Sequence, residues 1–222
     1  MGRLLLLIVA LCWSGPSWAD QRASYRQTDG GRSIVIEVTD KGDARIEWSE
    51  EIWYLIVLGG EAFVVYDLPT GKTVTRVADL EQIMRERGLK VQLEPSFLRQ
   101  GLLVERGAAT YAGRKGTAYY LKTPDGLSPR PAVVISRDPA LAPLLLPLVR
   151  QFDFSLATMR LGGAEPPPAL LLMRELFDLG LPLLFAGFEL QRVDAAPVDE
   201  ARLTLPERPK TLEELRSNPA PQ

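Results

Sequence analysis

Residues 52–77 read IWYLIVLGGEAFVVYDLPTGKTVTRV, and this stretch decides the fold. Ile52–Leu58 is apolar or aromatic at every position, which predicts a central strand covered on both faces. A Gly-Gly turn follows it, and Glu61–Leu68 and Lys72–Val77 predict two more strands joined by a Pro-Thr-Gly turn. Turns this short connect antiparallel neighbours, so the stretch indicates a meander rather than βαβ units.

Similar patterns extend the sheet along the chain. Further strands are predicted at Arg32–Val38, Ala44–Trp48, Leu102–Glu105, Thr110–Ala112, Thr117–Lys122, Pro131–Ser136, Phe188–Val193 and Arg202–Leu205. Apolar residues at helical spacing predict helices at Ala78–Arg87, Leu141–Val149 and Ala169–Leu179. Because a proline inside a helix costs about 3 kcal/mol, Pro143 and Pro147 should kink or break the second of these helices.

The chain should therefore be an α+β protein: a curved antiparallel sheet, or half-barrel, with helices packed on its concave face. We expect a single domain over residues 20–210. Thr211 and Glu214 form a capping box for a short terminal helix, and residues 211–222 should comprise this helix and a frayed tail.

The N-terminus predicts export. Arg3 precedes the apolar run Leu4–Leu11, and small residues stand at Ser17 and Ala19, where a signal peptidase would read them. We expect residues 1–19 to be a signal peptide cleaved after Ala19, and the mature protein to be periplasmic. Cys12 lies in the part that is removed, and we expect no transmembrane segment in the mature chain.

Composition excludes several classes of function. The 222 residues include 26 Lys+Arg and 28 Asp+Glu but no histidine. The missing basic excess argues against a nucleic-acid partner. The missing imidazoles remove Ser-His-Asp catalysis and most transition-metal sites, so we expect no cofactor, no metal and no enzymatic activity.

Carboxylate pairs leave a hydrolase as the least favoured alternative, since a glycosidase needs only two acidic side chains. The acidic residues considered are Glu47, Glu50 and Glu51 near one strand end, and Asp153, Glu175 and Asp178 among apolar helix residues. Placement on the surface explains most of the acidic residues in this chain.

Aromatic and leucine side chains are the more informative feature. They either form an ordinary filled core, or the sheet curves around an apolar cavity that the leucine-rich helices close. For the second possibility the candidate lining residues are Trp48, Trp53, Phe63, Leu145 and Phe185.

The segment Tyr54–Val77 resembles the central hairpins of the periplasmic lipoprotein-carrier superfamily, which includes LolA, LolB and LppX-like proteins. Gly180-Leu-Pro182 and Leu203-Thr-Leu-Pro206 are similar to the C-terminal pattern of uncharacterised periplasmic relatives. Arg45–Ser49 lacks the basic residue-proline pair typical of the carriers. The resemblance implies a half-barrel whose mouth is plugged by helices, with an apolar groove for acyl chains.

Together these observations predict an exported periplasmic binding protein for a lipid, a lipoprotein acyl chain or another apolar ligand. The alternative is a structural or regulatory envelope protein with a filled core and a protein partner.

Overall fold

The computed structural model describes residues 19–88, 102–161 and 163–217. These residues form an α+β fold with a twelve-stranded antiparallel sheet that is not closed into a barrel. The strands are β1 (Gln21–Gln27), β2 (Ser33–Val38), β3 (Ala44–Trp48), β4 (Trp53–Leu58), β5 (Glu61–Leu68), β6 (Gly71–Arg76), β7 (Leu103–Tyr111), β8 (Arg114–Thr123), β9 (Gly126–Leu127), β10 (Val133–Ser136), β11 (Leu181–Phe185) and β12 (Phe188–Ala195). The helices are α1 (Val77–Glu86), α2 (Ala142–Leu161), α3 (Pro168–Phe177) and α4 (Leu212–Ser217).

The sheet has the order β6-β5-β4-β3-β2-β1-β12-β11-β10-β8-β7, and β9 pairs with β8. Strands β1 to β6 form a meander, of which the sequence predicts β2 to β6. The two ends of the domain meet in the middle of the sheet, where Gln21 of β1 pairs with Ala195 of β12. This non-local pairing joins the meander to the second half of the sheet.

Each central strand buries side chains on both of its faces. Leu55 and Val57 of β4 belong to the main core, whereas Tyr54 and Ile56 join a second cluster that contains Phe63. We call the face with the main core the inner face and the face with the second cluster the outer face. The prediction that Ile52–Leu58 is covered on both sides is confirmed for β4.

Helix α2 is the centre of the inner layer. It contacts β1, β2 and β3 from one half of the sheet and β11 from the other half, so the sheet curves around it. Helix α3 packs on β10, β11 and α2, and α1 packs on β5 and β6. The inner face is thus the one that the helices cover.

The expected break at Pro147 is wrong, because α2 continues through this residue to Leu161. Pro143 and Pro147 both lie in the first two turns. The first helical N–H groups lack an intrahelical acceptor, so Pro143 costs nothing there. Pro147 removes one bond, to the carbonyl of Pro143, and the buried side chains of Leu144 and Leu148 offset that loss.

Other expectations also need correction. Strands β1 and β11 were not predicted. Arg202–Leu205 is not a strand, since Glu200–Leu203 forms a 3-10 turn. The two short strands predicted at Leu102–Glu105 and Thr110–Ala112 are one strand, β7, with an irregular register in its middle.

The C-terminal capping box is confirmed. The Glu214 backbone N–H donates to Thr211 Oγ1 at 3.2 Å, and the Thr211 N–H donates to the Glu214 carboxylate at 2.7 Å. Leu215 of α4 is buried, and Arg216 is ion-paired with Glu86 of α1. The predicted signal sequence up to Trp18 and the tail beyond Ser217 lie outside the described residues.

Candidate functional site

The five predicted lining residues do not share one space. Phe185 of β11 is fully buried in the main core, and Trp48, Trp53 and Leu145 are partly buried against that core. Phe63 belongs to the outer-face cluster, so its placement among the lining residues is wrong. Side chains alternate along β5, and Val64, its neighbour, faces the main core instead.

A chain of aromatic rings fills the space between the sheet and helices α2 and α3. Phe185 lies 5.5 Å from the ring of Tyr25 and 5.5 Å from that of Phe177 on α3. Phe177 in turn lies 5.0 Å from Phe152 on α2. These pairs have the edge-to-face geometry that aromatic rings prefer. The helices are therefore joined to the sheet through Phe177.

The aromatic chain continues toward the meander. Phe188 stacks on Phe185 at 5.9 Å and meets the Trp48 ring at 5.0 Å. On the other side of α2, Phe154 meets Trp53 of β4 at 4.9 Å. Trp48 thus marks one end of the aromatic chain and Phe185 lies at its centre, whereas Trp53 and Phe154 form a separate pair.

Tyr25 shows how polar atoms are satisfied in this core. Its hydroxyl donates a hydrogen bond to the carbonyl oxygen of Pro182 at 2.9 Å. Burial raises the pKa of the phenol well above its usual range, so the group stays neutral. The resulting bond ties β1 to β11 through a side chain.

Among the described residues of the inner layer, Gln151 has two buried polar atoms without a partner, and the Trp48 indole N–H also lacks one. Gln151 of α2 is 1% exposed, and both its Oε1 and its Nε2 are buried without a hydrogen-bond partner. It continues the apolar row Leu144 and Leu148 at helical spacing. In the sequence, a glutamine within this apolar row is the feature that could have identified Gln151 as a candidate site residue.

Ion pairs of Arg174 with Asp153 and Asp178, which we call the Arg174 clasp, join helices α2 and α3. Arg174 of α3 donates to Asp153 of α2 at 2.5 Å and to Asp178 at 2.8 Å. Burial disfavours the charged guanidinium, but the hydrogen bonds to these two carboxylates outweigh it and raise the pKa of Arg174. The clasp holds α3 to α2 rather than to the sheet.

The same clasp bears on the hydrolase alternative. A glycosidase needs two carboxylates that are free to reach the glycosidic bond. Asp153 and Asp178 are both ion-paired with Arg174, and Glu47 is ion-paired with Arg45 and Arg202. These three carboxylates are therefore engaged in contacts within the fold.

A charge cluster on the outer face fixes the C-terminal segment to the meander. Glu37 is 6% exposed and lies 3.2 Å from Arg202, which also pairs with Glu47 at 2.7 Å. Arg45 donates to the Arg202 carbonyl at 2.9 Å and lies over the Tyr54 ring at 3.7 Å. These contacts close the outer face, so they serve the fold.

Two open clefts were found in the described part of the chain. A cleft of about 720 Å³ lies between β6 and the C-terminal segment and is lined mainly by polar residues such as Lys72 and Glu207. Another, of about 370 Å³, lies where β3 turns into β4 and is lined in part by Trp48 and Trp53. Neither is lined by helix α2 or α3.

Two further features of the described residues concern metal ligands and a long apolar helix. Within the described ranges no group of three or more His, Cys, Asp or Glu could hold a metal ion. Pro139–Arg160 is long and apolar enough to cross a membrane by length and composition, although it packs on the sheet and its most apolar window is 44% buried.

Comparisons with protein-family models, with curated proteins and with solved structures give no match for this chain.

Proposed function

We propose that this chain is an exported, non-enzymatic binding protein that receives an acyl chain or another apolar ligand between the inner face of the sheet and helices α2 and α3. The observation that carries the proposal is the curvature of an open sheet around α2, with α3 as a second apolar cover. Ligand sites are typically concave and lined by apolar and aromatic side chains, as this face is. Its expected location is the periplasm.

Helix α3 supplies the movable part of the proposed site. It contacts β10, β11 and α2, and its buried Phe177 occupies the middle of the aromatic chain. Pro166 and Pro167 precede the helix, which begins at Pro168, and Gly180 follows it. An incoming acyl chain would take the place of Phe177 while the Arg174 clasp keeps α3 attached to α2.

The energies are compatible with such an exchange. A buried methylene is worth about 0.8 kcal/mol, so ten methylenes supply about 8 kcal/mol. Removing a buried Phe side chain from a core costs about 3–5 kcal/mol. The remaining free energy of about 3–5 kcal/mol is no larger than the cost of association, about 4 kcal/mol or more, so a ten-carbon chain should bind weakly and a longer chain more tightly.

Native mass spectrometry of the protein purified from its own envelope tests the proposal. We expect a 1:1 lipid adduct, and displacement of a fluorescent fatty acid such as cis-parinaric acid by unlabelled acyl ligands. N-terminal sequencing should begin at Asp20, whose carboxylate accepts the N–H groups of Asp40 and Val198. A clean ligand-free mass together with no binding of the probe would overturn the carrier function.

The filled core favours a second candidate, an envelope protein that acts through a protein partner. Phe177, Phe185 and Leu144 have no exposed surface, so the described state holds no ligand-sized gap beside them. Leu146 and Met159 on α2 are 50% and 39% exposed and offer apolar surface to a partner. A co-purified protein in place of a lipid adduct would support this candidate.

A further inference from the structure

Gln151 of α2 is a polar residue within the apolar inner layer. Both polar atoms of its side chain lack a hydrogen-bond partner, and the residue is 1% exposed. Leaving a buried donor or acceptor unpaired costs about 1–3 kcal/mol. A leucine at this position would avoid that cost, and the same row already contains Leu144 and Leu148. Packing therefore gives no reason for a glutamine here, which indicates a role in binding.

The position of Gln151 on α2 points to the proposed ligand site. Successive residues of an α-helix are rotated by about 100°, which places Gln151 between Phe152 and Phe154. Phe152 contacts Phe177 of α3, and Phe154 contacts Trp53 of β4. Gln151 therefore faces the interior between the two aromatic contacts.

We infer that Gln151 anchors the polar end of the ligand, and that the ligand is an acyl compound whose carbonyl stands next to an N–H or O–H group. The inference rests on the proposed function. A carboxamide has a donor and an acceptor side by side: Nε2 donates to a carbonyl oxygen, and Oε1 accepts from the adjacent N–H or O–H. A fatty amide and a protonated fatty acid both present that pair.

The surroundings argue against an ionised head group at this place. A buried charge is costly unless it is paired. The nearest described cation on the facing helix, Arg174, already pairs with Asp153 and Asp178. A neutral head group fits the site, and a simple ester, which has no donor, can make only one of the two hydrogen bonds.

The test compares dodecanamide, dodecanoic acid and methyl dodecanoate as competitors of a fluorescent apolar probe, N-phenyl-1-naphthylamine, on the full mature chain. A second hydrogen bond is worth about 0.5–1.5 kcal/mol, so the wild type should prefer the amide to the ester by about three- to tenfold. Gln151→Leu should bind both equally. Its unfolding midpoint in urea should rise, because an unpaired buried amide is gone.

Gln191→Leu is the control, because Gln191 is an exposed glutamine on β12 and its substitution should leave the preference intact. Gln151→Met replaces the leucine variant if that variant does not fold. Comparing dodecanoic acid with dodecanamide distinguishes a fatty acid from a fatty amide as the preferred ligand. Amide binding should be the same at pH 5 and pH 8, whereas acid binding should weaken as the ligand ionises.

The outcomes separate the inference from the proposed function. If none of the acyl compounds displaces the probe from the wild type, the binding function itself is refuted. If the wild type binds but prefers amide over ester no more than Gln151→Leu does, the binding function stands and the role of Gln151 is refuted. A buried water is then its partner.

Discussion

Replacing Phe177 by alanine tests whether α3 is held over the inner face by that side chain. Phe177 is fully buried and makes edge-to-face contacts with Phe152 and Phe185 at 5.0 and 5.5 Å. A Phe→Ala substitution in a core costs about 3–5 kcal/mol, and each lost aromatic pair adds to the transfer cost. We expect a loss of unfolding free energy near the upper end of that range.

The same substitution should strengthen ligand binding. In the wild type an acyl chain must displace the Phe177 ring, whereas in Phe177→Ala it fills a gap that already exists. Each 1.4 kcal/mol is tenfold in affinity, so avoiding a displacement cost of about 3–5 kcal/mol should tighten dodecanamide binding by about a hundredfold or more. Ligand at a hundred times its dissociation constant should then restore about 2.7 kcal/mol of stability.

Urea unfolding with and without ligand measures both effects. Phe63→Ala is the matched control, because Phe63 is 5% exposed but lies in the outer-face cluster. It should lose similar stability but keep the wild-type affinity, so ligand should stabilise it only as much as it stabilises the wild type. Equal rescue of both variants, or weaker binding by Phe177→Ala, would refute the reasoning.

Three further substitutions or conditions probe the fold around the site. Gly180→Ala should lose about 2–5 kcal/mol in urea unfolding, because φ is +148° and a Cβ would lie 2.2 Å from a carbonyl oxygen of β10. Arg202→Met should cost about 1–3 kcal/mol, because it removes the closer partner of the buried Glu37 carboxylate. The Arg208 side chain and a backbone N–H lower the pKa of Glu214 from 4.5 to about 2, so α4 should be fully protected from hydrogen exchange above pH 4.5 and lose protection as the pH falls toward 2.

Each of these predictions has a control. Gly126→Ala shares a positive φ of +125° but has nothing within 4 Å of the new Cβ, so it should cost less than Gly180→Ala. The double variant Glu37→Gln/Arg202→Met should recover stability relative to Arg202→Met. Glu214→Gln should make the protection of α4 independent of pH in this range, and a pH response that persists would assign it to another group.

Much of the meander could be predicted from sequence because local signals agree there. Strands β3 and β5 have the predicted bounds, and β2, β4 and β6 differ from prediction by one residue at one or both ends. Apolar alternation, short glycine turns and a buried central strand all specify the same local structure. The capping box of α4 was predicted for the same reason.

Elements that depend on distant partners could not be predicted. Strand β1 buries only Ala23 and Tyr25, too few apolar residues for a local signal, and it is stabilised by pairing with β12. Strand β11 is buried along its whole length, so it has no alternation and resembles a core helix segment. The length of α2 depends on its packing. Contacts with β1, β2, β3 and β11 stabilise the helix and outweigh the local effect of Pro147.

The positions of the candidate lining residues could be predicted only in part. Phe185 lies at the centre of the aromatic chain, Trp48 lies at its edge, and Trp53 pairs with Phe154. Phe63 was misplaced because the apolar run of β5 gives no sign of which alternate residues point inward. The sequence shows Gln151 as a polar residue in an apolar row, but the missing partners of its amide appear only in three dimensions.

The most direct measurement is a photolabelling experiment with a dodecanamide that carries a diazirine at the end of its chain. The cross-linked residues are then mapped by mass spectrometry of the digested protein. Binding between sheet and helices predicts labels on peptides that contain Phe152, Phe177 or Phe185, reduced by excess unlabelled dodecanamide. Labels confined to exposed residues such as Leu146 and Ile52, or unaffected by competitor, would contradict an acyl site in the interior.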